Sequence, residues 1–307
     1  MSILEVTELK KTFKRTPVIK GLNFDMAEGE ILGILGPNGA GKTTTLQMLL
    51  GVLTPTSGEI NIFGKNLAAN KSEILEKMNF SSTYVDMPYR LTVQENLIWS
   101  SYLYNIDDRQ KRLEKIKTLF RLEKLWKKPV STLSAGQKTR VNLARSMINF
   151  PRVLLLDEPT ASLDPEVAAY MREFFAGERS QFNTSIILTS HNMAEVEELC
   201  DRVLILKDGI IIGNDTPERL AKKLEFCHLR LRVTKNLNAL HTLAQTRKLE
   251  VTEDDGEITI TLKEKNLALF LYEVTKKNIQ YNEISIDKPT LEDYFLQVAK
   301  RGTNETL

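Results

Sequence analysis

Eight residues, Gly36-Pro37-Asn38-Gly39-Ala40-Gly41-Lys42-Thr43, match the pattern G-x-x-x-x-G-K-[ST]. The apolar run 30–35 before them predicts a buried strand, and residues 42–50 predict a helix. A glycine-rich loop between these elements lets backbone N–H groups surround phosphates, and the helix N-terminus adds positive charge. Lys42 is expected to reach the β- and γ-phosphates and Thr43 to ligate Mg²⁺. The sequence therefore predicts a triphosphate site at residues 36–44, which include Thr44.

Two further apolar runs, 153–156 and 185–189, predict buried strands, and helical patterns precede or follow each run. Apolar strands that alternate with helices favour a parallel sheet covered on both faces, with ligands at the carboxyl ends of its strands. Asp157 and Glu158 directly follow the first of these strands. Asp157 is predicted to hold Mg²⁺, directly or through water, and Glu158 to accept a proton from an attacking water.

Charge and composition exclude several classes of protein. The 307 residues carry 42 basic and 40 acidic side chains, so a net charge of +2 gives no bulk attraction to nucleic acid or lipid. No stretch approaches the roughly 18 apolar residues of a spanning helix, and the charged N-terminus lacks the apolar run of a signal peptide. Cys200, Cys227 and the three histidines lack metal-ligand spacing. We expect a chain that is neither secreted nor membrane-spanning and has no protein-built zinc site.

The pattern of the chain changes beyond Thr216. Alternating residues at 2–8 and 18–26 predict antiparallel strands near the N-terminus, and residues 92–150 are predicted to be rich in helices. After residue 216, strand and helix patterns follow in the order β-α-β-β-α-β, with Asp254-Asp255-Gly256 as a hairpin turn. A last helix closes the chain. The sequence therefore predicts two domains, 1–216 and 217–307.

Two more features complete a family pattern. Leu133-Ser134-Ala135-Gly136-Gln137 precedes a helix predicted through 138–148, and His191 follows the strand 185–189. Together with the loop at 36–43 and Asp157-Glu158-Pro159-Thr160, they resemble the ATP-binding-cassette (ABC) ATPases over residues 2–215. That family has a P-loop α/β fold with a parallel core sheet, an antiparallel N-terminal β-subdomain and a helical subdomain.

The resemblance implies a role for further residues. Phe13 falls where the family places a ring against adenine, Asp164 falls in the D-loop, and His191 is the switch histidine that joins Glu158 in catalysis. Residues 133–137 correspond to the signature loop, which the family uses on the nucleotide of a partner subunit; its side chains are Ser134, Ala135, Gly136 and Gln137, with Ala135 in place of the usual glycine. Two ATPase subunits, identical or not, would then clamp two ATP molecules with Mg²⁺.

Thr83 departs from the family pattern. Counted back from Leu91-Thr92-Val93, it falls where a glutamine usually touches Mg²⁺ and water. Threonine offers a hydroxyl with a shorter reach. Either water replaces the direct metal contact, or the family pattern aligns differently here, because residues 80–90 contain no glutamine to fix the alignment.

The C-terminal segment 289–296 resembles the L-E-D-x-F-L ending of the ATPase subunits of ABC-2-type exporters. The resemblance implies a separate integral-membrane permease that exports a drug, lipid or polysaccharide, and no nucleic-acid partner. It places the chain in the cytoplasm, on the inner face of the plasma membrane, and places the permease contact at residues 84–104. The domain 217–307 is expected to be a small α+β split-βαβ (ferredoxin-like) module for dimerisation or regulation.

Two other classes share these motifs. A non-transport ABC ATPase acting on ribosomes or DNA has the same catalytic residues, but usually carries two cassettes or a long coiled coil, neither of which occurs here. In the other alternative, the C-terminal domain senses a small ligand and the ATPase is secondary.

Overall fold

Three fully buried strands form the middle of the main sheet of the protein. The computed structural model describes residues 2–82, 87–159, 177, 183–190 and 192–300. The main sheet contains β3 (Ile31–Leu35), β6 (Met78–Ser82), β7 (Val153–Asp157), β8 (Ser185–Thr189), β9 (Arg202–Lys207) and β10 (Ile210–Asp215), in the spatial order β10-β9-β3-β8-β7-β6. All neighbours are parallel except β9 and β10. Because parallel strands end at the same edge, the loops after β3, β7 and β8 meet there.

The four strands of the N-terminal sheet are β1 (Ser2–Phe13), β2 (Thr16–Ala27), β4 (Ser57–Ile62) and β5 (Lys65–Asn66), in the order β2-β1-β4-β5. They are antiparallel, as the alternation of 2–8 and 18–26 predicts, but β1 and β2 extend further. A bulge explains the difference, because Glu8 has φ 47° and the register shifts between Val6 and Leu9. That shift breaks the two-residue period on which the sequence prediction depends.

Helices lie between and after these strands along the chain. The described helices up to residue 222 are α1 (Lys42–Leu49), α2 (Lys71–Leu75), α3 (Val93–Ser101), α4 (Arg109–Leu119), α5 (Ala135–Ser146), α6 (Met193–Leu199) and α7 (Pro217–Lys222), with a 3-10 turn at Val130–Thr132. At the start of α3, the Thr92 hydroxyl accepts from Glu95 N, and the Glu95 carboxylate accepts from Thr92 N. This is the predicted capping box. Among the described residues, no helix has the length and apolar character needed to cross a bilayer.

The chain divides into two compact units, Met1–Pro217 and Glu218–Leu307. The second unit has a four-stranded antiparallel sheet of β11 (Phe226–Lys235), β12 (Glu250–Asp254), β13 (Glu257–Lys263) and β14 (Gln280–Asp287), in the order β12-β13-β11-β14. Its helices are α8 (Leu237–Thr246), α9 (Leu267–Lys276) and α10 (Leu291–Lys300). Asp255 and Gly256 join β12 to β13 with positive φ angles of 44° and 76°, as a two-residue hairpin turn requires.

Candidate nucleotide-binding and hydrolysis site

The phosphate loop lies between β3 and α1, where the sequence places it. Two of its glycines are required by close contacts: a Cβ on Gly36 would lie 2.4 Å from Leu206 O, and one on Gly41 would lie 2.3 Å from Ile19 Cδ1. Gly41 also has φ 105°, a backbone angle that residues other than glycine rarely adopt. At Gly39 a Cβ would meet nothing within 4 Å, so that part of the loop faces open space. The loop is therefore tight against the protein and open where phosphates can approach.

Lys42 is folded into this loop. Its Nζ donates hydrogen bonds of 2.6 Å to Gly36 O and 3.3 Å to Pro37 O, and the residue is 8% exposed. Burial lowers the pKa of Lys42, and the negative charges of Glu158 and Asp157 oppose that shift. The ammonium group is thus held at the loop and interacts electrostatically with both carboxylates. It is suited to exchange its carbonyl partners for phosphate oxygens.

The remaining loop residues divide by exposure. Ala40 is buried, whereas Pro37, Asn38 and Gly39 are exposed. In the first turn of α1, Thr43 is exposed and Thr44 half-buried, so the Thr43 hydroxyl is accessible to a metal ion. Phe13, at the end of β1, is 43% exposed, and Lys11 Nζ lies 5.1 Å from the centre of its ring. An exposed ring of this kind can stack on a base.

Asp157 and Glu158 are organised by the neighbouring strand. Asp157 is the last residue of β7 and is buried; its Oδ1 accepts a 2.7 Å hydrogen bond from Thr189 Oγ1. Glu158 N donates to both Thr189 O and Thr189 Oγ1, each at 3.1 Å, and Glu158 has φ 52°. A buried carboxylate with a second oxygen available for a metal ion, next to a partly exposed glutamate, can bind Mg²⁺ and accept a proton.

The predicted signature loop forms the start of α5. Ser134 Oγ accepts from Gln137 N at 3.3 Å, and Gln137 Oε1 accepts from Ser134 N at 3.2 Å, which closes a second capping box. Ser134 and Ala135 are exposed, whereas Gly136 is buried. The arrangement presents the helix N-terminus and a hydroxyl to the outside of the chain, a combination that binds anions.

Some predicted site residues lie outside the part of the chain that the structure describes. These are Thr83, His191, Thr160, Asp164 with its D-loop neighbours Ser162 and Leu163, and residues 84–86 of the predicted permease contact. Their roles stay predictions.

Sequence reasoning missed Thr189 and the polar residues that follow β8. Ser190 Oγ donates a 2.9 Å hydrogen bond to the buried Glu195 Oε2 and accepts one of 3.0 Å from Asn192 N. Glu195 N in turn donates to Asn192 Oδ1, which caps α6. The available signal was that β7 and β8 both end in polar residues, which a parallel sheet brings to one edge.

A glycine-rich phosphate loop, a buried lysine and two carboxylates at the end of a parallel strand of the same sheet define the P-loop nucleotide triphosphatases as the class of this protein. Within that class, a family profile described as "ABC transporter" matches residues 19–161.

The chain is 31% identical to the bacitracin transport ATP-binding protein BcrA of Bacillus licheniformis, over 98% of this chain and 99% of the relative. It is 35% identical to the Nod factor export ATP-binding protein I of Rhizobium meliloti (strain 1021), over 74% of this chain and 68% of the relative. Among solved structures, cbiO1 of Clostridium perfringens, part of the ABC transporter complex cbiONQ, superposes with a TM-score of 0.65 at 27% identity, covering 80% of this chain and 95% of that one. The chain belongs to the ABC transporter family, as an ATP-hydrolysing subunit of an exporter.

Proposed function

We propose that this chain pairs with a second copy of itself around two ATP molecules, and that closure of the pair drives export through a separate integral-membrane permease. The observation that carries the proposal is the division of the site. Lys42 is electrostatically coupled to Asp157 and Glu158, which makes one half of a site. The exposed Ser134 turn offers the other half to a different molecule.

The residues at the sheet edge fit ATP with Mg²⁺. The loop 36–44 would hold the phosphates, Phe13 would stack on adenine, and Thr43 and Asp157 would hold Mg²⁺, with Thr83 as a further candidate ligand. Bound Mg²⁺ supplies neutralising charge at the β- and γ-phosphate oxygens. Glu158 accepts a proton from the attacking water at its carboxylate, and His191 contacts the γ-phosphate.

In the pair, residues 134–137 of one chain contact the γ-phosphate held by the other. The hydroxyl of Ser134 and the N–H groups at the start of α5 supply hydrogen bonds and the positive end of a helix. Asp164 couples the two sites. ATP binding then closes the pair and hydrolysis reopens it.

An exposed aromatic surface provides the contact with the permease. We define it as Tyr89, Trp99, Tyr102 and Leu103, each of which is exposed on or beside α3. Trp99 and Tyr102 are 66% and 61% exposed, and aromatic side chains of this kind anchor protein interfaces. This contact would place the chain on the inner face of the plasma membrane.

The relatives support a substrate class. Their names record transport of bacitracin and export of Nod factor, and a further relative of Bacillus subtilis (strain 168) is a linearmycin resistance ATP-binding protein with 29% identity. We propose export of a drug, lipid or polysaccharide, with no nucleic-acid partner.

The segment 217–307 is proposed to be a split-βαβ (ferredoxin-like) domain that supports dimerisation or regulates the ATPase. The element order from β11 to β14 and the sheet order β12-β13-β11-β14 support this assignment. In that arrangement each helix connects two parallel strands that are separated in the sheet by one antiparallel strand.

Co-purification tests the proposed function. The tagged chain, extracted in mild detergent, should bring down a protein with several membrane spans, and Trp99→Ala with Tyr102→Ala should reduce its recovery. Tyr272→Ala removes the aromatic ring of a residue that is 63% exposed in the second unit, and it should leave recovery unchanged. Ribosomes in place of a permease, or equal recovery with both sets of variants, would overturn the proposal.

A further inference from the structure

One part of the first unit carries a large excess of positive charge. Residues 109–128, which include α4 and the turn after it, contain nine Lys or Arg and only two Glu, although the net charge of the whole chain is +2. The rest of the chain is therefore net negative. We define the basic surface as the exposed cations of this segment: Lys111, Lys115, Arg121, Lys124, Lys127 and Lys128.

Packing explains why these cations face solvent. α4 buries Leu113 and Ile116, and Leu122, Leu125 and Trp126 of the following turn are buried as well. The turn is held by backbone hydrogen bonds from Leu125 N to Leu122 O and from Lys128 N to Leu125 O. With the apolar side chains fixed inside, the lysines between them point outward.

Four of these cations have no acidic partner among the residues that the structure describes. Glu114, one of the two acids, pairs with Lys117 at 3.0 Å. Lys111, Lys124, Lys127 and Lys128 form no salt bridge with another described residue. An anionic partner can therefore approach four ammonium groups without displacing a carboxylate.

The segment 109–128, which carries the basic surface, contacts α3 at both ends of that helix. At one end the Arg109 guanidinium lies 4.3 Å from the centre of the Tyr102 ring. At the other end Val93 N donates to Lys128 O and Gln94 N donates to Trp126 O. A helix of nine residues is about 14 Å long, so a protein seated on the aromatic surface lies within roughly that distance of the lysines.

We propose that the basic surface binds the headgroups of anionic phospholipids in the membrane leaflet beside the permease. Its location at the membrane rests on the proposed function. Five of its six cations are lysines, whose compact ammonium groups bind phosphate as point charges without a fixed geometry, whereas the rigid fork of arginine binds a carboxylate or phosphate in one paired arrangement. The lysines are spread along a helix and a turn, which matches a fluid array of headgroups. Each lysine near such a leaflet strengthens partitioning by about fivefold.

Vesicle co-sedimentation of the purified full-length chain, without permease, tests the proposal. Vesicles of phosphatidylcholine are compared with vesicles that also contain phosphatidylglycerol. The variant K124Q/K127Q/K128Q removes three lysines from the basic surface, and K265Q/K276Q/K277Q removes three exposed lysines from the second unit as a matched control. Basal ATP hydrolysis, which uses none of these residues, checks that both variants are folded.

We expect binding to the phosphatidylglycerol vesicles only, weakened about 100-fold in the first variant and unchanged in the control. Binding should also fall as salt is raised, because the Debye length shortens from about 8 Å at 0.15 M to about 3 Å at 1 M. Equal binding by both variants, or equal binding to the two kinds of vesicle, would overturn the proposal. So would a first variant that binds vesicles normally but recovers less permease in the separate co-purification experiment, since the partner would then be protein. Because no permease is present, failure of the proposed function leaves the vesicle result unaffected.

Discussion

Thr189 Oγ1 donates a 2.7 Å hydrogen bond to Asp157 Oδ1. The two residues are direct neighbours at the ends of β8 and β7, and both are buried. The same hydroxyl oxygen accepts from Glu158 N, which holds the backbone of that residue at a positive φ. One side chain therefore orients the proposed metal ligand and the proposed general base together.

Replacing Thr189 with valine removes the hydroxyl and keeps the shape. A hydrogen bond to a charged group is worth about 1.5–3 kcal/mol, so turnover should fall by about 10- to 100-fold. Thr189→Ser keeps the oxygen and should retain most of the activity. Steady-state ATP hydrolysis over a range of Mg²⁺ concentrations measures the effect. Equal activities of the valine and serine variants would show that the hydroxyl does not position these residues.

Glu158→Gln keeps the size of the side chain and removes its ability to accept a proton. We expect turnover to fall by about 10²–10⁴, the usual contribution of a general base, while ATP still binds and holds the pair closed. Phosphate release and sedimentation with ATP measure the two effects. Glu250→Gln, at an exposed position in β12, is the matched control. Near-normal turnover of Glu158→Gln would exclude the proposed role.

The pH dependence of nucleotide affinity reports on Lys42. Burial lowers the pKa of this lysine, while the charges of Glu158 and Asp157 raise it. Because the ammonium form binds phosphate, nucleotide affinity should decline as the pH rises. The midpoint of that decline should lie at a lower pH than it would for an exposed lysine. Glu158→Gln removes one of the raising charges, so the midpoint of the decline should move to still lower pH. Titration with a fluorescent ATP analogue measures both curves, and a midpoint that moves upward would contradict the coupling.

Two capping boxes allow the signature serine to be tested separately from its helix. Ser134→Asp keeps an oxygen that can cap α5, and Thr92→Asp keeps one that can cap α3. The free energy of unfolding, measured by thermal unfolding, should therefore change by no more than about 1 kcal/mol in either variant. Only Ser134→Asp places a negative charge against the γ-phosphate of the partner's nucleotide. It should lower ATP turnover strongly, whereas Thr92→Asp should not. Equal turnover in the two variants would contradict a role for Ser134 at the nucleotide.

The sequence predicts the elements that follow simple periods. The apolar strands β3, β7 and β8 and the loop after β3 lie where the patterns place them, because fully buried strands carry continuous apolar runs. The ends of β1 were missed, since the bulge at Glu8 changes which side chains face inward.

Contacts between residues that are far apart in the sequence could not be predicted from the sequence. Thr189 and Asp157 are 32 positions apart, and only the parallel register brings them together. The charge excess of residues 109–128 is visible in the sequence, but whether these charges form an exposed surface depends on how the segment packs. Only the structure shows that the apolar residues between the lysines are buried and that the segment adjoins α3.

Mixing two inactive variants tests most directly whether paired chains share each site. Lys42→Ala should lose nucleotide binding at its own phosphate loop but keeps its signature turn. Ser134→Asp keeps its phosphate loop but loses its signature turn. In a mixed pair, the intact loop of one chain faces the intact turn of the other, so ATP hydrolysis by the mixture should rise well above that of either variant alone. Activity of the mixture no greater than the average of the two variants, measured at concentrations where ATP holds the chains together, would contradict the account.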